Sequence, residues 1–71
     1  MIEWIHTATK LEAYNPDRRR RGMIVKKTVG DGIAYKVFID GGAYAGSSRT
    51  IGEARELCRK ELEKDDTEGT N

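Results

Sequence analysis

The sequence predicts an α+β fold: a three-stranded antiparallel meander packed on one C-terminal helix, with room for an extra short N-terminal strand or helical turn. Three observations predict it. Residues 22–48 alternate apolar and polar positions with period two, Asp/Gly-rich turns divide that stretch into three segments, and a capping box then opens an amphipathic helical stripe.

At the N-terminus, Ile2, Trp4 and His6 alternate with Glu3, Ile5 and Thr7, which suits a short strand at a sheet edge. Trp4 is expected to anchor the core, since such a ring buries on the order of 200 Å². Thr9-Lys10-Leu11-Glu12 fits a capping box, so Leu11, Ala13 and Tyr14 can form one helical turn before Asn15-Pro16 ends it. Helix, coil and partial disorder all remain open for this connector. Arg18, Arg19, Arg20 and Arg21 follow. Four adjacent residues cannot share one face of a regular element, so this run is read as an exposed loop or the start of a strand.

In the first meander strand, Met23, Val25 and Val29 alternate with Ile24, Lys26 and Thr28, with Lys27 interrupting the apolar side. Gly30-Asp31-Gly32 contains the Asp-Gly pair that a type I′ hairpin turn favours, because both of its central residues need positive φ. The clearest alternation is Ile33, Tyr35, Val37 and Ile39 against Ala34, Lys36, Phe38 and Asp40, which makes this strand central. Asp40-Gly41-Gly42 is the next turn. The weak strand after it holds Gly46, expected at a bulge or a close backbone approach. Thr50 and Glu53 then frame a second capping box, and Ile51, Ala54, Leu57, Cys58 and Leu62 form one apolar stripe. Glu56–Lys60 and Arg59–Glu63 are opposite charges four residues apart. The stripe should cover the Ile33, Tyr35, Val37 and Ile39 face, with Cys58 as a small buried hydrophobe. One domain is expected over residues 1–64, its core in 22–64, followed by a disordered acidic tail over 65–71.

At 71 residues the chain buries only about 60% of its unfolded surface. The core is therefore small, and a homodimer or a bound partner would add stability. One cysteine excludes an internal disulfide and fits a reducing compartment. No apolar run reaches membrane-spanning length, and Glu3 and His6 interrupt any leader-like start, so a cytoplasmic protein without membrane contact is expected.

A formal net charge of +1 conceals polarity: residues 1–36 carry +4 and residues 37–71 carry −3. Six Lys/Arg lie between Arg18 and Lys27, a concentration that favours an anionic partner. Nothing in the pattern supplies catalysis. Nucleophile–base pairings and phosphate-loop motifs are missing, Asp31 and Asp40 occupy turns, and so small a core scarcely encloses a pocket. His6 lacks companions at ligand spacing, so neither a metal nor another cofactor is expected.

Residues 34–62, AYKVFIDGGAYAGSSRTIGEARELCRKEL, resemble the small arm-type DNA-binding domain of phage and transposon tyrosine integrases. In that family a Y-x-V-x-I strand, a turn and a helix opening with E-A recur, matched here by Tyr35, Val37, Ile39, Glu53, Ala54 and Leu57. The resemblance implies a three-stranded sheet that enters the DNA major groove. Where the family carries basic and aromatic residues on its third strand, this chain has Ala43, Ala45, Gly46, Ser47 and Ser48.

Two functional expectations follow. In the first, the protein is a small non-enzymatic nucleic-acid-binding accessory protein of a phage or mobile element. Arg18, Arg19, Arg20 and Arg21 grip phosphates, while Lys26, Lys27, Lys36 and Arg49 supplement them, with Lys26, Lys36 and Arg49 facing the groove from the sheet surface opposite the helix. In the second, it is an anti-CRISPR-like inhibitor or adaptor that binds a host nucleic-acid-processing complex. Glu53, Glu56, Glu61, Glu63, Asp65, Asp66 and Glu68 would then supply an acidic, nucleic-acid-mimicking face. The basic concentration before the meander favours the first.

Overall fold

Period-two patterning starts well before Gly22 in the computed structural model, which describes residues 1–64. Five strands result: β1 (Glu3–His6), β2 (Lys10–Asn15), β3 (Arg20–Val29), β4 (Gly32–Ile39) and β5 (Ala43–Ser48). They form one antiparallel sheet in chain order, and the helix α1 (Ile51–Glu63) follows. The α+β class, the antiparallel meander and the single C-terminal helix are thus as expected, but the sheet has five strands where three were predicted.

The difference lies in residues 10–15. A helical turn was one expectation there; the segment is instead β2, paired with β1 on one side and β3 on the other. Leu11, Ala13 and Asn15 are buried at every second position. Six residues give a helix too few internal hydrogen bonds to repay nucleation, whereas a strand bonded on both sides satisfies its whole backbone. Thr9 therefore caps nothing. Its neighbour Thr7 closes the β1–β2 turn by bonding the Lys10 amide and carbonyl.

The core lies between α1 and one face of the sheet. Register aligns Leu11, Ile24, Val37 and Gly46 across β2 to β5, and the first three are buried against Ala54, Cys58 and Leu62 of the helix. Since Leu11 and Ala13 belong to this cluster, the core begins before residue 22. Trp4, Tyr35, Ile39 and Leu57 pack around it, Trp4 with Arg55 stacked 4.7 Å from its ring. Ile51 is the exception in the helical stripe, being 40% exposed.

Two glycines let the helix approach closely. A Cβ at Gly22 would stand 2.7 Å from Cys58 Sγ, and one at Gly46 would stand 2.8 Å from Leu57 Cδ2. Gly46 also has φ 147° beside a register shift in the β4–β5 ladder, so the expected bulge and the close approach coincide.

The turns differ in detail from expectation. Val29 pairs with Gly32, so the β3–β4 loop is Gly30-Asp31 rather than Asp31-Gly32. Only Gly30 has positive φ there, the pattern of a type II′ turn instead of type I′. Asp40, Gly41 and Gly42 form the β4–β5 turn as expected, all three with positive φ.

At the helix start, Thr50 accepts the Glu53 amide at 3.2 Å as predicted. The predicted tail over 65–71 lies outside the described residues.

Candidate functional site

Because α1 covers one face of the sheet, the alternate positions of each strand form an opposite face with no described element packed on it. Register places Ile5, Glu12, Met23, Phe38 and Tyr44 in a row across all five strands. At roughly 4.8 Å per step this row spans about 19 Å. Lys10, Val25, Lys36 and Ser47 run beside it, and Glu3, Tyr14 and Arg21 lie on its other flank.

Three of the chain's five aromatic residues therefore share this open face. Phe38 and Tyr44 meet at a centroid distance of 5.7 Å with their planes inclined by 59°, and Tyr44 is 59% exposed. Lys36 holds its ammonium 5.8 Å from the Tyr44 ring centre, and the Arg21 guanidinium lies 5.6 Å from that of Tyr14. Each cation–ring contact keeps a positive charge beside an aromatic surface. A shallow groove of about 490 Å³ lies mainly over β1 to β3, with Ile5, Met23 and Phe38 in its apolar lining, Glu3, Glu12 and Arg21 among its charged lining, and the Gly41-Gly42 turn at its edge.

Charge on this face is uneven. Its carboxylates, Glu3 and Glu12, belong to β1 and β2, and Glu12 is 3.4 Å from the Lys10 ammonium. The open-face positions of β3, β4 and β5 hold Arg21, Lys27 and Lys36 and no carboxylate. The basic half thus coincides with the Phe38–Tyr44 pair.

The arginine run is divided by the fold. Arg18 and Arg19 are exposed in the β2–β3 turn, where Arg19 takes positive φ. Arg20 and Arg21 open β3 and alternate to opposite faces. Arg20 turns to the helix side, placing its guanidinium on the Asp40 carboxylate at 2.8 and 3.3 Å. It also donates to the Glu61 and Lys64 carbonyls at 2.7 and 3.4 Å. Nearby, Asn15 donates to the Leu62 carbonyl at 2.8 Å and accepts the Asp17 amide at 3.1 Å. Together they satisfy carbonyls that a helix C-terminus leaves without intrahelical partners. Arg20 is therefore built into the fold, although the sequence run presents it as an equal of its neighbours.

Of the other sequence-nominated residues, Lys36 does face away from the helix. Lys26 does not: it shares the parity of Gly22 and Ile24 and pairs with Tyr35 on the helix side, extending beyond the helix as an exposed residue. Lys27 lies on the open face, and Arg49 is exposed in the bend between β5 and α1. Tyr14, Phe38 and Tyr44 were not nominated. For Phe38 the signal was present as the complement of the Tyr35/Val37/Ile39 alternation, whereas Tyr14 and Tyr44 reach the same face only through the pairing of β2 and the bulge in the β4–β5 ladder.

The outer side of α1 is charged and largely self-paired. Arg59 bridges Glu56 and Glu63, the latter at 2.7 Å, and Lys64 meets Glu61 at 2.8 Å. Hydrogen bonding to Arg59 holds the Glu56 carboxyl below its ordinary range. Cys58 is fully buried, and burial, assisted by the Glu61 charge, pushes its thiol up to about 11. Among the described residues no cluster of three or more His, Cys, Asp and Glu side chains is arranged to hold a metal ion, and no helix is long and apolar enough to cross a membrane. Comparison with protein-family models, curated proteins and solved structures finds no match.

Proposed function

We propose that this chain is a small non-enzymatic nucleic-acid-binding accessory protein, of the kind carried by phages and mobile elements, which docks through the open face of its sheet. The observation that carries the proposal is the gathering of Tyr14, Phe38 and Tyr44 with Arg21, Lys27 and Lys36 on the face that α1 leaves uncovered. Apolar and aromatic surface there accepts bases, while the long cations at its margins reach phosphates. Arg18 and Arg19 add exposed positive charge in the β2–β3 turn that leads into Arg21, with Arg18 lying near Asn15, Asp17 and Glu63 at the helix-side end of that turn. The resemblance to integrase arm-type domains supports the same partner class, although its matched stretch covers only β4, β5 and α1.

A protein-binding inhibitor that presents an acidic helix finds less support. Glu56, Glu61 and Glu63 are spent on Arg59 and Lys64 within the same helical end, which leaves little net negative field. Asp65, Asp66 and Glu68 lie outside the described residues.

The test is fluorescence anisotropy of labelled nucleic acids titrated with the protein across a salt series. Each phosphate contact adds about 0.7–0.9 to the slope of log affinity against log salt. Changing Arg18 and Arg19 together to alanine should flatten the slope by about 1–2 if both grip phosphates. Absence of binding to any single- or double-stranded probe at low salt would sink the proposal.

A further inference from the structure

The arrangement of rings and cations on the open face bears on whether paired or unpaired nucleic acid would suit it. A duplex offers a sheet the edges of its bases and its phosphate ridges, which call for donors and acceptors at the centre of contact. Here the centre is apolar: Met23 and Phe38 occupy the middle of the cross-strand row, with the Phe38–Tyr44 ring pair continuing it. The cations Arg21, Lys27 and Lys36 stand around it instead of within it. Only unpaired bases turn their flat faces outward, and only those match exposed rings on a flat surface.

Building on the nucleic-acid proposal above, we infer that the ligand is a single strand, whose bases stack on Tyr44 and Phe38 while Lys36, Lys27 and Arg21 hold the backbone. The strand keeps to the β3–β5 half. On the β1–β2 half two carboxylates, Glu3 and Glu12, stand against the one ammonium of Lys10, which pairs with Glu12, so the excess negative charge there disfavours phosphates. The ring pair gives room for about two to three stacked bases, the number that comparable ring-bearing sheets accommodate. Tyr44, the most exposed ring of the three open-face aromatics, takes the first contact.

The experiment measures anisotropy for oligothymidylate and oligouridylate of about 12 nucleotides and for a duplex of matched length, at about 50 mM salt. The protein is wild type, Tyr44→Ala, Tyr44→Phe or Phe38→Ala. Tyr44 is 59% exposed, so Tyr44→Phe should keep the wild-type melting temperature, while Tyr44→Ala, which gives up the ring contact with Phe38, should lower it by no more than about 10 °C and remain folded in the assay, which circular dichroism checks in parallel. A single strand should bind at least about 10-fold more tightly than the duplex, Tyr44→Ala should weaken that binding roughly 5- to 150-fold, and Tyr44→Phe should restore most of it. The two single-stranded probes then show whether deoxyribose or ribose is preferred. Equal or tighter duplex binding, or a single-strand preference unchanged in both Tyr44→Ala and Phe38→Ala, overturns this inference and leaves the broader proposal standing. No binding to any probe overturns both.

Discussion

Arg20→Ala should destabilise the protein far more than the same change at Arg18, although both belong to one run of four arginines. The Arg20 side chain is only 16% exposed and joins three elements: β3 through its own backbone, the β4–β5 turn through Asp40, and the end of α1 through the Glu61 and Lys64 carbonyls. A hydrogen bond to a charged group contributes about 1.5–3 kcal/mol when its partner is left without a substitute. Asp40 is 48% exposed, so water replaces part of that interaction, and the less accessible Glu61 carbonyl carries more of the loss. Taken together, a loss of about 2–3 kcal/mol is expected. For a domain of this size that lowers the melting temperature by roughly 10–20 °C. Arg18→Ala should stay within about 0.5 kcal/mol of wild type. Arg20→Lys should fall between them, because an ammonium cannot reproduce the two-pronged contact with Asp40. Thermal and urea unfolding followed by circular dichroism provides the assay. A melting temperature for Arg20→Ala within about 2 °C of wild type, or an equal loss in Arg18→Ala, would falsify the assignment of Arg20 to the fold.

The other predictions concern the seam between sheet and helix. Gly22→Ala forces a methyl group against Cys58 Sγ and should cost about 1–3 kcal/mol; the double variant with Cys58→Ala should recover part of it, giving a non-zero coupling energy in a double-mutant cycle. In the native state Cys58 should resist thiol reagents at pH 8 and react only when the protein is unfolded, so rapid native labelling would contradict its burial. Its folded thiol titrates near 11 against an ordinary value of 9.0, so the folded state holds the proton more tightly than the unfolded state. The associated stability is fully present below pH 9 and is lost as pH rises toward 11, a decline of roughly 2–3 kcal/mol. Subtracting the same pH series for Cys58→Ala isolates this contribution from the lysines and tyrosines, and identical pH slopes would count against it.

Local pattern was sufficient for the second half of the chain. Alternation in β4, glycine-bearing turns and the Thr50 cap all act over a few residues, and each produced the element it signals. The same logic misassigned residues 10–15. A capping-box match and a period-two burial pattern coexist in Lys10–Asn15, and only pairing with β1 and β3 decides between them. The register likewise decided which side of β3 meets the helix. Met23 and Val25 make the more apolar side of that strand by composition, yet Gly22 and Ile24 pack on α1 because the helix needs close approach at Gly22.

For the candidate site, the sequence by itself determined that positive charge concentrates around Arg18–Lys27. It also determined that Lys36 and Phe38 alternate away from the Tyr35/Val37/Ile39 side. Only the tertiary structure decided that Tyr14, Phe38 and Tyr44, drawn from three strands, share one uncovered face, and that Arg20 leaves its neighbours to hold the end of the helix. The physical reason is the same in both cases. Charge and periodicity are properties of neighbouring residues along the chain, whereas a face and a clamp exist only once strands far apart in sequence have been set in register.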